Sequence, residues 1–175
     1  MEKHPTQTAG VTRQHGDIPA PFDSYRDVVR SEWIDHNRHM NMSYYLVVFD
    51  LATDEWLRFV GLDQGHRDAL EVTTFCLEAH VTYHREVREG DRLRFTTRLL
   101  DHDVKRIHYF HEMRHAKEGF VSATSELLAI HVNMETRRSE PFPPATRELL
   151  ARLKAQHSTL PLPAEVGRKI AIRRR

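Results

Sequence analysis

The chain has only one cysteine, Cys76, among its 175 residues. A single thiol excludes an internal disulfide and is typical of proteins in a reducing compartment. No apolar run approaches the roughly 20 residues that cross a bilayer, and the start of the chain is too polar for a secretory signal. We therefore expect a soluble cytoplasmic protein that has no membrane segment.

An excess of either charge is also missing. The sequence contains 26 Lys and Arg residues against 25 Asp and Glu residues, which gives a formal net charge of +1. Proteins that bind nucleic acid or an acidic membrane surface generally carry a clear excess of positive charge. The charge balance therefore predicts neither partner.

Length and composition predict one domain between two terminal segments. A chain of 175 residues is long enough to bury one real core. Residues 1–21 are rich in Thr, Gln, His, Gly and Pro without any period, so we expect a disordered leader there. Residues 157–175 end in three arginines and are predicted to form a basic tail. The domain itself is assigned to residues 22–156.

Residues 42–60 have the spacing of one long amphipathic helix. Apolar side chains recur every three or four positions on one side, at Tyr45, Val48, Phe49, Ala52, Trp56 and Val60. The opposite side is charged, at Asp50, Asp54 and Arg58. Asn41 can cap the helix start and Gly61 can end the helix in a left-handed conformation, so we expect the helix to begin near Asn41.

Five other segments have strand character and are joined mostly by short turns. They cover residues 24–33, 75–83, 93–99, 105–115 and 120–134. A loop is predicted at residues 62–68 and a short helix at residues 146–155. The order of one strand, a long helix and four strands predicts an α+β fold, in which an antiparallel sheet wraps around one long central helix.

Residues 35–41 place a carboxylate, two imidazoles and two amides directly ahead of the long helix. Hydrolysis at an acyl carbonyl requires an attacking carboxylate or an activated water, together with donors for the oxyanion that forms. The first free N–H groups of a helix, at the positive end of its dipole, can supply those donors. This corner of the chain is therefore the candidate active site.

The loop and its surroundings resemble the hotdog-fold acyl-CoA thioesterases of the 4-hydroxybenzoyl-CoA thioesterase-like superfamily. The matching features are the Asp35-x-Asn37-x-His39-Met40-Asn41 loop, the Tyr44-Tyr45 pair, Gly61, and Tyr83-His84-Arg85-Glu86-Val87 ahead of Gly90-Asp91. The resemblance covers roughly residues 25–154. Within the superfamily, the sequence is most similar to the betainyl-CoA thioesterases that are fused to, or encoded beside, carnitine dehydrogenase.

This resemblance implies a hotdog sheet around a central helix and an acyl-CoA substrate, with betainyl-CoA of carnitine degradation preferred. It implies homodimers, or dimers of dimers, in which two sheets join edge to edge and the active sites lie between subunits. It implies neither a metal nor a nucleotide cofactor.

The resemblance also implies catalytic residues, although the relatives differ. In 4-hydroxybenzoyl-CoA thioesterases an aspartate acts at the position that matches Asn37, and an amide can be neither base nor nucleophile. In plant acyl-carrier-protein thioesterases, which have the Asp-x-Asn-x-His loop and use a glutamate on a later strand, the matching residues are Asp35, Asn37, His39 and Glu86. Either Asp35 or Glu86 would then activate water. Asn37 would orient substrate or water, and His39 would polarise the carbonyl or orient the base.

Each of these residues also has a simpler interpretation. Asp35 and Asn37 can brace a tight loop through bonds from their side chains to the backbone. Glu86, taken by itself, has the character of a surface charge on a strand. Both interpretations stay open at the level of the sequence.

Residues around the helix start are candidates for binding the acyl group. The candidate oxyanion donors are the backbone N–H groups of Asn41, Met42 and Ser43. The rings that could surround a quaternary ammonium by cation–π attraction are those of Trp33, Tyr44 and Tyr45. The alternative for these rings is that they fill the core between helix and sheet.

Coenzyme A carries phosphates, so cationic side chains are expected at the mouth of the site. The candidates are Arg85, Arg88, Lys105 and Arg106, which lie at or near predicted strand ends. The alternative is that these side chains belong only to solvated surfaces.

Thirteen histidines raise the question of a metal site. His36 and His39 lie three apart in a loop, whereas His108, His111 and His115 lie on a predicted strand and do not all share one face. Zinc requires convergent ligands, and the sequence has no His-Glu-x-x-His helix. We therefore expect no metal.

Two other functions fit the same fold. Enoyl-CoA hydratases have a related loop, but with a proline after the asparagine and one more residue before the histidine. Here Arg38 takes the place of that proline and His39 follows it directly, which argues against hydration. A non-catalytic module that senses acyl-CoA would need an output element, and a leader of 21 residues is too short for a helix-turn-helix domain. Hydrolysis of a short acyl-CoA is therefore the predicted function.

Overall fold

The computed structural model describes residues 18–172, which form a five-stranded sheet and three α-helices. The elements are β1 (Phe22–Val28), a 3-10 turn (Ser31–Trp33), α1 (Met42–Phe59), α2 (Gln64–Leu70), β2 (Val72–Tyr83), β3 (Arg92–His102), β4 (Arg106–His115), β5 (Val121–Asn133) and α3 (Pro144–His157). The strand order is β1-β3-β4-β5-β2, and every neighbouring pair is antiparallel. The predicted α+β architecture is confirmed. None of the helices in this part of the chain is long and apolar enough to cross a membrane.

Helix α1 forms where the apolar spacing predicts it and buries the predicted face. All six predicted positions are buried, namely Tyr45, Val48, Phe49, Ala52, Trp56 and Val60. The Asn41 side chain accepts a hydrogen bond from the Ser43 N–H at 3.0 Å, which caps the helix start as predicted. At the other end Gly61 has a φ of +83°, a left-handed conformation that favours glycine, and the helix ends there.

Two apolar clusters fill the space between α1 and the sheet, one under each half of the helix. The first includes Val48, Phe49, Leu93, Phe95 and Met113. The second includes Trp56, Leu99, Ile107, Tyr109 and Leu150. Burying one large apolar side chain contributes about 1.5–3 kcal/mol, so these contacts hold α1 on the sheet and fix the position of its first turn.

A buried histidine lies between α1 and the sheet. His111 of β4 has its Nε2 2.9 Å from the Thr53 hydroxyl and its Nδ1 2.8 Å from the Thr97 hydroxyl. The Thr53 hydroxyl donates to the Phe49 carbonyl at 3.0 Å, so it accepts from His111 Nε2–H, and Nδ1 accepts from Thr97. Burial lowers the pKa of the His111 imidazole to about 3. A neutral ring therefore ties the middle of α1 to β3 and β4.

Two elements near the ends of α1 differ from the prediction. The strand predicted at residues 24–33 is β1, which ends at Val28, followed by the 3-10 turn, because the chain curls to bury Val29 and Trp33. The loop predicted at residues 62–68 contains most of α2, which Asp63 caps by accepting from the His66 N–H at 3.0 Å. No residue of α2 is buried, so its sequence carries no apolar period. Helix α3 extends the predicted helix by two residues at each end.

Strand β2 is exposed where its alternation predicts half burial. Phe75, Leu77 and Tyr83 are 38%, 54% and 45% exposed. The alternation is present, but β2 is the edge strand and within residues 18–172 pairs only with β5. The prediction that this strand is half-buried is therefore wrong for a single chain.

The end of α3 packs against β3 and binds one of its arginines. The Arg98 guanidinium is buried and donates to the carbonyl oxygens of His157 and Leu160 at 3.0 and 2.5 Å. The His157 Nδ1 accepts from the Leu99 N–H at 2.8 Å. Arg98 is thus not a solvated charge, because it binds the carbonyl groups at the end of α3.

Of the predicted leader, residues 1–21, the first seventeen lie outside the described residues. From Ile18 onward the chain packs against the second cluster, and the Pro19 carbonyl accepts from His157 Nε2 at 2.8 Å. The predicted basic tail, residues 157–175, is described as far as residue 172. Within it, the Gly167 N–H donates to the Glu126 carboxylate at 2.8 Å.

Candidate active site

The loop ahead of α1 is a closed turn. Ile34 and Met40 form an isolated antiparallel bridge, and the Asp35 N–H donates to the His39 carbonyl at 3.2 Å. Arg38 has a φ of +64°, which turns the chain at the tip, and its N–H donates to the Asp35 carbonyl at 2.9 Å. The turn leaves Asn37 exposed at its tip.

Asp35 faces back into this loop and toward the start of α1. One carboxylate oxygen accepts from the Asn37 N–H at 2.7 Å, and the other accepts from the Asn41 amide at 3.1 Å. The hydrogen bond from the Asn37 backbone, and after it that from Asn41, lowers the pKa of the Asp35 carboxyl. Asp35 is therefore ionised at neutral pH, and it does brace the loop as the simpler interpretation expects.

The cap of α1 leaves one backbone donor at the helix start. The Asn41 N–H donates to the Trp33 carbonyl at 2.9 Å, and the Ser43 N–H donates to the Asn41 side chain at 3.0 Å. Among residues 18–172 the Met42 N–H has no acceptor. Of the three predicted oxyanion donors, Asn41 and Ser43 are therefore already engaged, and Met42 is the one that a ligand oxygen can reach without breaking a bond.

His39 is held beside this donor by its own backbone neighbour. Its Nδ1 lies 3.2 Å from the Met40 carbonyl oxygen. Because a carbonyl only accepts, Nδ1 carries the hydrogen, and in the neutral ring Nε2 is left as an acceptor. The Met40 N–H donates to the Val87 carbonyl at 2.9 Å, which joins the loop to the connection between β2 and β3.

Glu86 lies on that connection and is exposed. Its carboxylate accepts from the Arg88 guanidinium at 2.8 Å. This bond lowers the pKa of the Glu86 carboxyl. The structure thus brings Glu86 to the same corner as Asp35, but pairs it with a cation at the surface.

The three predicted aromatic residues are mostly packed. Trp33 is 4% exposed, with the Tyr44 ring stacked on it at 5.7 Å and the Arg30 guanidinium 4.7 Å from its centroid. Tyr45 is also 4% exposed and meets the Tyr83 ring edge-on at 5.1 Å. Within a single chain, neither Trp33 nor Tyr45 offers an open ring face to a cation.

Tyr83 belongs to this corner. The sequence interpretation placed it at the end of a strand and in the motif that carries the resemblance, but gave it no role in the site. Its hydroxyl donates to the Met42 carbonyl at 3.3 Å, across from the first turn of α1. It is also one of the exposed apolar side chains of β2. The available signal was its position at the end of a strand, directly ahead of the Arg85–Arg88 segment, but the sequence alone does not fix which loop that strand end approaches.

The four predicted CoA-binding cations lie at opposite ends of the sheet. Arg85 and Arg88 follow β2 near the loop; Arg85 lies 3.4 Å from Glu118 and 3.9 Å from the centroid of Phe120. Lys105 and Arg106 lie at the β3–β4 turn, where Lys105 donates to Ser139 and Arg106 pairs with Asp103. Strand β3 separates the two groups by roughly 30 Å. Within one chain, only the first pair is close to the loop.

Among residues 18–172, no group of three or more His, Cys, Asp or Glu side chains is placed to hold a metal ion. The strand histidines have separate partners. His108 lies 2.8 Å from Glu126, and the His115 Nδ1 accepts from the Glu118 N–H at 3.0 Å.

Comparisons with known proteins point in one direction. The chain matches the thioesterase-like superfamily over residues 29–150. It is 40% identical over 152 residues to the betainyl-CoA thioesterase of Pseudomonas aeruginosa, covering 85% of this chain and 94% of that protein. It is 30% identical to the L-carnitine dehydrogenase/betainyl-CoA thioesterase of Rhizobium meliloti, over 99% of this chain and 35% of that longer protein. Its structure is similar to that of a Staphylococcus aureus protein solved in complex with CoA, with a TM-score of 0.83 and 32% identity over 91% of this chain and 100% of that chain.

Proposed function

We propose that this chain, which belongs to the thioesterase-like superfamily, hydrolyses betainyl-CoA to betaine and CoA. The predicted hotdog fold and the predicted class of enzyme, a thioester hydrolase, are confirmed. Support for the acyl group comes from the 40% identity to the Pseudomonas aeruginosa enzyme, which extends over nearly the whole of both chains.

The observation that carries the mechanism is the chain of hydrogen bonds from Asp35 through Asn41 to Ser43. It fixes an ionised carboxylate next to the positive end of an 18-residue helix. In our proposal the thioester carbonyl oxygen binds at the Met42 N–H, where the helix dipole stabilises the charge of the tetrahedral intermediate.

Asp35 is the proposed base. It is ionised at neutral pH, and each of its oxygens keeps a second lone pair that can accept a proton from water. Glu86 is the less suitable of the two carboxylates, because the Arg88 guanidinium already binds its carboxylate and would compete with a water molecule for it. Water attacks the carbonyl carbon, the C–S bond breaks, and the proton taken by Asp35 passes to the departing thiolate.

The neighbouring side chains have proposed roles around this centre. Asn37, exposed at the tip of the loop, orients water or substrate, and His39 presents an Nε2 acceptor beside the helix start. Arg85 and Arg88, on the connection after β2, attract the phosphates of CoA.

The active unit in this proposal is a homodimer joined through β2. An edge strand with exposed Phe75, Leu77 and Tyr83 presents both unpaired backbone groups and an apolar surface. On α1, Met42, Leu46 and Val47 continue this surface and are 64%, 48% and 45% exposed. Pairing of two β2 strands would cover both features and place the two candidate sites beside the interface.

A substrate panel tests the proposed function. Release of free thiol is followed with betainyl-CoA, acetyl-CoA, butyryl-CoA and an aromatic acyl-CoA at matched concentrations. We expect kcat/KM for betainyl-CoA to exceed the others by at least about tenfold, which is 1.4 kcal/mol of discrimination. An equal or higher value for another acyl group would overturn the substrate, and tight binding without thiol release from any of them would overturn hydrolysis.

A further inference from the structure

Arg98 of β3 is a buried charge that the proposed mechanism does not use. It is 9% exposed, and among residues 18–172 no other Lys, Arg, Asp or Glu is buried. Its partners are carbonyl oxygens, and within the same part of the chain no carboxylate pairs with it. A buried cation that lacks a counter-charge is costly, so its surroundings favour the binding of an anion.

The hydrogen bonds of this guanidinium leave some of its donors without an acceptor. The carbonyl oxygens of His157, Leu160 and Pro161 accept from its two Nη atoms, which occupies three of its five N–H groups. Among residues 18–172 the Nε–H has no acceptor. Carbonyl oxygens also carry no net charge, so these three bonds do not neutralise the cation. The site around Arg98 is therefore incomplete in both hydrogen bonding and charge.

A cavity of about 190 Å³ lies between Arg98 and the end of α3. Lys154 of α3 lines the same cavity, and its Nζ donates to the Leu100 carbonyl and lies 3.7 Å from the Asp101 carboxylate. The Asp101 side chain is 73% exposed, so water screens most of its charge. His157 also lines the cavity and is neutral, because burial lowers the pKa of its imidazole. The lining therefore has an excess of positive charge.

The volume and the lining of this cavity fit a small anion. Its volume equals that of roughly six water molecules in the liquid, which is room for a phosphate or a short carboxylate but not for a nucleotide. Leu160 and Leu162 also line it, and Leu162 is 66% exposed, so the cavity opens to solvent. It is separate from the candidate active site, because Leu99 lies seven residues along β3 from Arg92, or roughly 23 Å.

We propose that this cavity is a second ligand site, which binds a small oxyanion, a carboxylate or a phosphate, between Arg98 and Lys154. The inference does not depend on the proposed function. Hydrogen bonds between a cation and an anionic oxygen are roughly twice as strong as neutral ones. The same guanidinium binds the carbonyl groups of residues 157, 160 and 161, so an anion that neutralises it also stabilises the contact of this segment with β3. Binding to the folded chain alone would raise its stability.

Thermal unfolding in rising concentrations of butyrate or of inorganic phosphate, at constant ionic strength, tests the site. For the wild-type protein we expect the midpoint temperature to rise and then to saturate with at least one of these anions. Lys154→Gln removes one cation of the cavity and should raise the half-saturating concentration by at least about fivefold. Arg152→Gln is the matched control, since it removes an exposed cation of the same helix outside the cavity, and its response should equal that of wild type. Saturation by butyrate alone indicates a carboxylate with an alkyl chain, and saturation by phosphate alone indicates an inorganic anion.

Leu162→Asp is a second variant, and it changes an exposed side chain, so folding does not depend on it. It adds a carboxylate to the lining, so we expect a higher midpoint without ligand and a weaker response to the anions. Leu70→Asp alters an exposed leucine of α2 and should keep the wild-type response. A midpoint that does not saturate with either anion would overturn the inference. So would a saturating response that is the same in wild type, Lys154→Gln and Leu162→Asp, because the anion would then bind elsewhere.

Discussion

The carboxylate of Asp35 and the amide nitrogen of Asn41 lie 3.1 Å apart, so the loop and the cap of α1 form one hydrogen-bonded unit. The same carboxylate holds the Asn37 N–H at 2.7 Å. A single side chain thereby shapes the loop and locates it against the positive end of the helix dipole. The four predictions below concern this unit, the exposed strand edge and the buried histidine.

Replacement of Asp35 by Asn separates a catalytic role from a bracing role. Asn keeps one acceptor for the Asn37 N–H but loses the negative charge, so we expect kcat to fall by about 100-fold or more. Thiol release from betainyl-CoA measures this change, and thermal unfolding monitors the fold. Glu86→Gln is the comparison, and we expect it to lower kcat by less than about tenfold. Near-normal turnover of Asp35→Asn combined with a large loss in Glu86→Gln would assign the base to Glu86.

Asn41→Ala removes the cap of α1. We expect the free energy of unfolding to fall by about 1 kcal/mol, because the Ser43 N–H loses its acceptor, and kcat to fall as the Met42 N–H is displaced. Denaturant unfolding and thiol release measure the two effects. Asp63→Ala removes the cap of α2, away from the loop, and should lower stability to a similar extent with activity retained. Equal activity losses in both variants would mean that the α1 cap has no special role.

Leu77→Lys places a charge on the exposed edge of β2. If two β2 strands pair, this charge must be buried or the dimer must separate, so we expect the molar mass in light scattering to shift from two chains toward one. Leu70→Lys is a close control, because Leu70 and Leu77 are 55% and 54% exposed, and Leu70 lies at the end of α2 instead of on the edge strand. A wild-type protein that is monomeric at all concentrations would contradict assembly through β2.

His111 is expected to make stability depend on pH. Its pKa is lowered to about 3 in the folded state, whereas the unfolded chain binds the proton near the usual value of about 6.5. The unfolded state therefore binds more protons as pH falls, and the free energy of unfolding should decrease between about pH 6.5 and pH 3. Urea unfolding at several pH values measures the slope.

For the pH experiment, the informative comparison is His111→Gln, which can bond both threonines but does not titrate. We expect a shallower slope for this variant, whatever its absolute stability. His36→Gln changes an exposed histidine of the loop and serves as the control. An unchanged slope in His111→Gln would show that other groups, such as the buried His157, account for the acid sensitivity.

The sequence alone identified α1, its cap and its end, because these depend on local spacing and on single residues. Apolar side chains at intervals of three and four must share one face of a helix, and Asn41 and Gly61 have conformational preferences suited to its two ends. The loop of residues 35–41 could likewise be identified as a reactive corner, since its side chains are concentrated within seven positions. Helix α2 was missed, because it buries no residue and so leaves no apolar period.

Only the tertiary structure decided which of these groups are available. Whether Phe75 and Leu77 are covered depends on where β2 lies in the sheet order, and alternation along one strand carries no information about that. The burial of Arg98 depends on carbonyl groups at the end of α3 and just beyond it, some sixty residues away. Likewise, Arg85 and Lys105 look equivalent in the sequence but lie at opposite ends of the sheet. Local spacing determines which face an element presents, but the partner of that face is set by contacts between residues distant in the chain.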